Sequence, residues 1–593
     1  MSAESLTEDL RLLRAFEPVV RLTQGEFFMP VGVDAYVRNC SLWLHSVDGE
    51  PQQIAKPGEL DLDLLAIRSE DHDGPGLSLS GVTVSQSWWA RFGLARHANR
   101  PPFRAGHRLA EVGLVGRSID TLSRLSLLVR GAVPGGSARQ SLDLQAAVLR
   151  PDEPTYHGRV IRDAGYIVCQ YWYFYSFNNW RSGFSGVNEH EADWEQVTVY
   201  LDGTGPLDED GLPYPRWVVF SAHDEVGDDL RRRWDDPDLS LVNGRHPVVF
   251  AGAGSHSGAY LAGDYLITVQ PPALGGVVPM IRRLAKIFTP WTRSAQGSGF
   301  GIPYIDYARG DGPGCGPGQE YPWRPVVIDD QTPWVRDFRG LWGHDTRDRF
   351  GGERGPAGPR YDRDATVRTS WADPVGWAGL AKVAPNADAE RALIVRRLET
   401  ITIELDVLAE DSRLQRESIA EQAAGLAPAA PEVRALLPDE LKLSQARMKK
   451  TALLDEHQRL TLRLDRGVEV ADPHAHLRHR RTPISAAERE RGRLLSVWAI
   501  VSTPLILIIL ASLVWPGEYA RPSLAVGFLI IVLSVEAFAR GYFLAFFARL
   551  LLLLLVINFI EVFFINWQYL TGAVLALLAL VVLVVNMRDA LRH

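Results

Sequence analysis

Four long apolar runs close the chain, at residues 495–515, 523–539, 543–566 and 569–585. Each is close to the ~20 residues that a helix needs to cross a hydrocarbon core of ~30 Å. Short connections join them, so the pattern predicts a four-helix transmembrane bundle over 495–593, carrying a large polar head. Arg478, Arg480, Arg481, Arg489, Arg491 and Arg493 precede the first run, and Arg588 and Arg592 follow the last. Basic residues stay on the cytoplasmic side, which places both termini there. Two acids, Glu536 and Glu561, interrupt the apolar text; Glu536 is expected to pair with Arg540 one helical turn later.

From about residue 10 to 385 the pattern is different. Short β-branched and aromatic stretches, such as 167–175, 197–201, 217–221 and 248–252, are separated by Gly, Pro, Asn and Asp. This predicts an all-β sandwich head over 1–385. Within it, residues 280–288 suit a short basic amphipathic helix packed on the sheet, and the Gly- and Pro-rich 295–325 suits a long loop. Near residue 388 the period becomes helical: Ile394, Leu398, Ile401, Leu405 and Leu408 follow a 4-3-4-3 spacing, and Leu453, Leu460 and Leu464 resume it after Pro428 and Pro431. A helical hairpin or coiled-coil stalk is expected over 386–470, then a basic juxtamembrane linker over 471–494.

Composition narrows the function classes. The 593 residues leave room for several domains, and 46% hydrophobic with 23% charged is normal for a folded chain. A net charge of −8 argues against nucleic acid as a partner, since neutralising phosphates calls for clustered cations. Cys40, Cys169 and Cys315 are far apart and lack metal-ligand spacing, which fits a reducing compartment. The acidic opening lacks the basic and apolar regions of a signal peptide, so the head is expected to stay where it is made. High Arg, Ala, Gly and Asp content points to a GC-rich bacterial genome and a bacterial plasma membrane.

The chemistry-bearing stretch is the aromatic run 169–175 followed by His190-Glu191-Ala192-Asp193-Trp194-Glu195. In a strand, side chains alternate, so Asp193 and Glu195 share a face with Val197 and Val199. Two carboxylates on an apolar face need neutralising, which a bound cation does well. His190 adds a nitrogen, and the strands ending at His223 and His256 offer two more. If the chain turns near 203–205 and returns antiparallel through Trp217, His223 comes back to the acids. The strand before His256 arrives either in parallel or from a facing sheet, and His344 is more remote. His190, Asp193, Glu195 and His223 are the expected metal ligands, for Mg, Ca, Mn or Zn. His256, Trp194 and Tyr171 are the expected ligand-binding residues.

These segments, with Ser221-Ala222-His223 and 254–260, resemble the vacuolar protein sorting-associated protein 62-related family and, more distantly, the necrosis-inducing proteins. Residues 16–18, 25–30, Trp342, 355–359 and 371–374 extend the first likeness over much of 10–380. The second resemblance implies a β-sandwich in which His190, Asp193 and Glu195 bind a divalent cation. Glu189 and Ala192 depart from that family's motif, which has Gly and His there. The first implies a tie to membrane traffic without an established catalytic activity.

The function expected is therefore that of a membrane-anchored cytoplasmic protein that binds a polar ligand, a lipid headgroup or glycan, through a cation-assisted site. The enzyme alternative is a metal-dependent hydrolase with Glu195 or Glu191 as base. A third is a structural assembly protein that forms homo-oligomers through stalk and spans. Membrane lipid is the expected partner in each.

Overall fold

The computed structural model describes residues 3–45, 50–71, 76–81, 137–179, 190–221, 230–269, 302–345, 355–427, 430–468 and 522–590, with isolated residues between 483 and 509. The head is built on a six-stranded sheet in the order Arg324–Val327, Thr155–Asp163, Tyr166–Asn178, His190–Asp202, Pro215–Phe220 and Arg231–Arg233. Its first pair is parallel and the remaining neighbours are antiparallel. The hairpin expected through Trp217 is present, with Tyr200 opposite Trp217 and Val197 opposite Phe220.

The two central strands are buried along almost their whole length because both faces are covered. On the inner face Tyr171, Tyr173, Tyr175, Val197 and Val199 pack against a second sheet through Val20, Val249, Ala251 and Cys315. The outer face carries Trp172, Phe174 and Trp194, packed with Tyr36, Leu42, Trp334 and Trp342. Farther along it, Tyr166, Val168 and Tyr200 meet Val375, Ala378 and Leu380. A side-chain period of two with both faces covered explains why consecutive aromatics are accommodated in 171–175.

In the second sheet His246–Ala251 runs parallel to Val19–Arg21 and antiparallel to Gly258–Ala259. The segment before His256 thus comes from the facing sheet, not as another strand beside the acids. The all-β expectation for the head is corrected to a mixed α/β architecture: helices Ala3–Phe16, Val33–Arg38, Leu62–Asp71 and Ser137–Leu144 are part of it. The first of them supplies Leu12, Leu13 and Phe16 to the inner core. These helices are short and lie between strand-like runs, so their period is hard to separate from the surrounding β pattern. Residues 280–288 and 295–301 lie outside the described residues, and the rest of the expected long loop is corrected by the strand Ile302–Ala308, which pairs antiparallel with Gly263–Val269.

The stalk segment forms two long helices, Ala387–Ala423 and Leu437–Arg466. Asn386 caps the first, its Oδ1 accepting from the Ala389 N–H at 2.8 Å. Glu390 meets Arg463 at 2.8 Å, Arg397 meets Glu456 at 3.0 Å, and Gln415 donates to the Asp439 carbonyl at 3.3 Å. As one partner's number rises the other's falls in step, which is the register of an antiparallel helical hairpin. Ile394, Ile401, Leu443 and Leu453 are buried in it.

The C-terminal part departs from the sequence expectation. The second apolar run is the helix Pro522–Ala539, and Arg540 Nε lies 3.2 Å from Glu536 Oε1, the expected pair. Most of the first run, and the 471–494 linker, lie outside the described residues. The third and fourth runs are one continuous helix, Phe543–Ala590, without the reversal expected at 566–569. It holds two consecutive stretches long and apolar enough to cross a membrane, Phe543–Ile565 and Trp567–Met587. The connecting residues Asn566-Trp567-Gln568-Tyr569 include no Pro or Gly, so nothing local stops a helix there.

Gly343 fixes how closely the 341–345 segment approaches the central sheet. A Cβ at this position would lie 2.0 Å from the Glu191 carbonyl oxygen. Because both partners are backbone-bound, Gly343→Ala is expected to cost about 3 kcal/mol of stability. Thermal unfolding of the full chain in detergent checks this, and an unchanged midpoint would contradict the packing described.

Candidate functional site

The strand His190–Asp202 delivers its acids through a broken alternation. Asp193 and Glu195 point to the inner face, beside Tyr175 and Tyr173 on the neighbouring strand, as the two-residue period demands. At Ala192 the backbone enters the left-handed region, with φ 60°. Glu191, which strict alternation would set beside Asp193, lies elsewhere as a result. Its carboxylate accepts from Ser80 Oγ at 3.1 Å, from the Gly81 N–H, and from the His344 N–H at 3.1 Å. Burial pushes its pKa up to about 7, with those hydrogen bonds opposing the rise. That placement, among residues 80–81 and 343–344, does not make it a base for a centre at Asp193.

Asp193 is 2% exposed and its Oδ2 accepts from Asn178 Nδ2 at 3.1 Å and from His256 Nδ1 at 2.9 Å. The His256 side chain is fully buried and lies flat on Tyr175, with ring centroids 3.7 Å apart and planes 3° from parallel. On its far side Nε2 is 3.8 Å from Glu26 Oε1, another fully buried side chain. Burial lowers the imidazole pKa, but the hydrogen bond the ring donates to Asp193 and the nearby Glu26 outweigh it, raising the value to about 9. At neutral pH that shift favours a protonated ring, set between two carboxylates.

The turn that presents His256 is tightly specified. His256 itself has φ 56°, and Gly254 has φ 74°. For a ring-bearing residue this conformation is sparsely populated and is sustained only by its surroundings. Those surroundings include Asp306, which accepts from Ser255 Oγ at 2.6 Å and from Ser257 Oγ. Glu26 holds the turn from the other side, its Oε2 accepting from the Gly254 N–H at 2.6 Å, while Oε1 accepts from the Phe27 N–H at 2.7 Å. Ala192 and His256, two of the few non-glycine residues with positive φ, thus flank one buried ion pair.

Some buried polar atoms here are unmatched. Among the described residues both amide atoms of Asn179 lack a hydrogen-bond partner, although Asn179 is only 1% exposed, and His256 Nε2 makes no hydrogen bond shorter than its 3.8 Å approach to Glu26. Asn179 lies against the same turn: a Cβ on Gly254 would be 2.5 Å from both its backbone oxygen and its Oδ1. Leaving such groups dry costs about 1–3 kcal/mol each, so native structures normally supply them with water or a ligand.

The expected residues divide accordingly. Asp193 and His256 meet directly. Glu195 lies on the same face, its Oε2 accepting from Ser221 Oγ at 3.5 Å. His190 is buried, with Nδ1–H donating to the Ala192 carbonyl at 2.7 Å. His223 lies outside the described residues. Tyr171 is in the inner core, its hydroxyl donating to the Leu13 carbonyl at 3.0 Å. Trp194 is on the opposite face, edge-on to Trp342 at 5.3 Å. Neither aromatic shares a site with His256. Glu26 and Asn179 were not singled out from sequence; an acid within the otherwise apolar 27–33 neighbourhood was the available signal for the first.

Among the described residues no three His, Cys, Asp or Glu side chains are grouped as a metal requires. The Asp193 oxygen that would serve as ligand already accepts from an amide and an imidazole.

No family model matches the chain, and no curated protein or solved structure matches it significantly.

The His256 pKa sets a pH dependence. Its folded value of about 9 exceeds the ordinary value of 6.5, so its stabilising contribution is full below about 6.5 and is lost as pH rises through about 9. Unfolding of the full chain should become easier between pH 7 and 9, and His256→Gln should flatten that slope. Equal slopes in both proteins would contradict a charged His256.

Proposed function

We propose that this protein is a membrane-anchored binding protein whose head takes a hydroxyl-rich ligand, a glycan or the sugar headgroup of a lipid, at the Asp193, His256 and Asn179 end of the central sheet. The observation that carries the reading is the Asn179 amide, buried and without a hydrogen-bond partner among the described residues, set against the turn that presents His256. Carboxylates at Glu26, Asp193 and Glu195 disfavour an anionic ligand and accept from hydroxyls, while an imidazolium N–H and an amide donate to them. In this reading His256 supplies the positive charge that the acids call for, in the place where the resemblance to necrosis-inducing proteins implies a divalent cation. The displaced position of Glu191 weighs against the hydrolase alternative in which it acts as base.

The anchor supports a location at a membrane. A helix of 48 residues is about 70 Å long at ~1.5 Å per residue, more than twice the ~30 Å hydrocarbon core. We read it as breaking at 566–569 within a bilayer, which restores four spans and cytoplasmic termini. Carbonate extraction at alkaline pH should leave the full chain in the membrane fraction.

Calorimetric titration of the detergent-solubilised chain with methyl glycosides and inositol, in the presence of EDTA, tests the site. Binding is expected for wild type, and Asn179→Ala is expected to weaken it about tenfold, the equivalent of about 1.4 kcal/mol. Because the Asn179 amide makes no hydrogen bond among the described residues, the same substitution should leave the ligand-free unfolding midpoint unchanged or raised. Binding that disappears with EDTA, or that survives Asn179→Ala intact, would contradict the proposal.

A further inference from the structure

Each stalk helix has an apolar stripe that the hairpin does not use. In Ala387–Ala423, Ile403, Val407 and Leu414 are exposed at 64%, 56% and 50%, with spacings of four and seven. In Leu437–Arg466, Leu437, Leu441, Met448 and Leu462 are likewise exposed, with Asp455 at the intervening heptad position. At about 100° per residue, both stripes lie about 100° or more around the helix from the buried residues Ile394, Ile401, Leu443 and Leu453. The hairpin therefore carries apolar residues on both outward edges, with its internal contact between them.

Charge distinguishes the two edges. Residues 399–411 contain Glu399, Glu404, Asp406, Glu410 and Asp411 and no base, whereas 442–450 contain Lys442, Arg447, Lys449 and Lys450 and no acid. The hairpin register sets these stretches at the same level. It does not consume their charge: Asp406 and Asp411 on one side, and Arg447, Lys449 and Lys450 on the other, have no ion-pair partner among the described residues. An apolar stripe flanked by acids on one edge thus complements an apolar stripe flanked by bases on the other, while like edges repel.

We infer that the stalk is a self-association element in which the 403–414 edge of one copy docks on the 437–462 edge of a second copy of this chain. The contact is heterologous, since each copy presents different surfaces to its two neighbours, so it propagates until a ring closes or a row forms. The alignment rests on the membrane-anchored reading above: tethering in one bilayer points neighbouring hairpins the same way. Val407 of one copy is then level with Met448 of the next.

Cysteine cross-linking of the full chain in detergent tests this, because the native Cys40, Cys169 and Cys315 are buried. A mixture of differently tagged Val407→Cys and Met448→Cys chains is expected to form disulfide-linked pairs on mild oxidation. Either variant alone should not, and the double variant should give a ladder beyond two copies. Arg447→Glu with Lys449→Glu should lower the yield about tenfold, with recovery when the other chain carries Asp406→Lys and Asp411→Lys. A monomeric wild type, self-linking of Val407→Cys as strong as the mixed reaction, or indifference to charge reversal would overturn the inference. Links that form in a chain released by alkaline carbonate would uphold this contact while removing the anchor reading.

Discussion

A positive charge between buried carboxylates is the constraint on which the head depends. Asp193 projects into a core of tyrosine, phenylalanine and valine because strand geometry gives it no other face. An isolated carboxylate there would be driven to neutralise. His256, 2.9 Å away and stacked on Tyr175, satisfies it, and Glu26 approaches the other side of the ring. These residues come from the central sheet, the turn after a strand of the facing sheet, and the loop after Val19–Arg21. One ion cluster thereby ties the two facing sheets together and fixes the turn against which the Asn179 amide lies. Holding His256 and Ala192 in left-handed backbone conformations is consistent with that: the strain is retained where three elements over-determine the geometry.

Sequence reading reached this cluster only in part, and the boundary is physical. Alternation placed Asp193 and Glu195 on the apolar face because a two-residue period needs no tertiary information. The return through Trp217 followed from a turn-rich connection between two strand-like runs. Glu26 was inaccessible to such logic, since it meets His256 across a gap of some 230 residues and through a facing sheet. Ala192 was inaccessible for another reason: nothing in an alanine side chain announces a positive φ, yet that single residue moves Glu191 away from Asp193. The outer aromatics were legible as strand residues but not as a second core, because a strand buried on both faces loses the polar alternation that identifies its outside.

The same contrast holds toward the C-terminus. The Glu536–Arg540 pair was predictable from one helical turn of spacing. The reversal expected at 566–569 is absent, since those residues permit a helix and the chain runs through them as one. In the stalk, the heptad pattern identified the hairpin's internal seam, while the outward stripes emerged once the fold separated used from unused faces. In the proposed reading, head, stalk and C-terminal helices have distinct physical tasks: a buried charged site, a lateral contact sorted by charge, and burial in lipid.

The charge state of His256 is the most direct test of this account. Solid-state NMR of the full chain in bilayers, with nitrogen-15-labelled histidine and His256→Gln to identify the signal, reads both ring nitrogens at pH 8. The account predicts that both carry protons, with shifts typical of an imidazolium. A neutral ring with one bare nitrogen would contradict it and leave Asp193 without the positive charge on which the site is built.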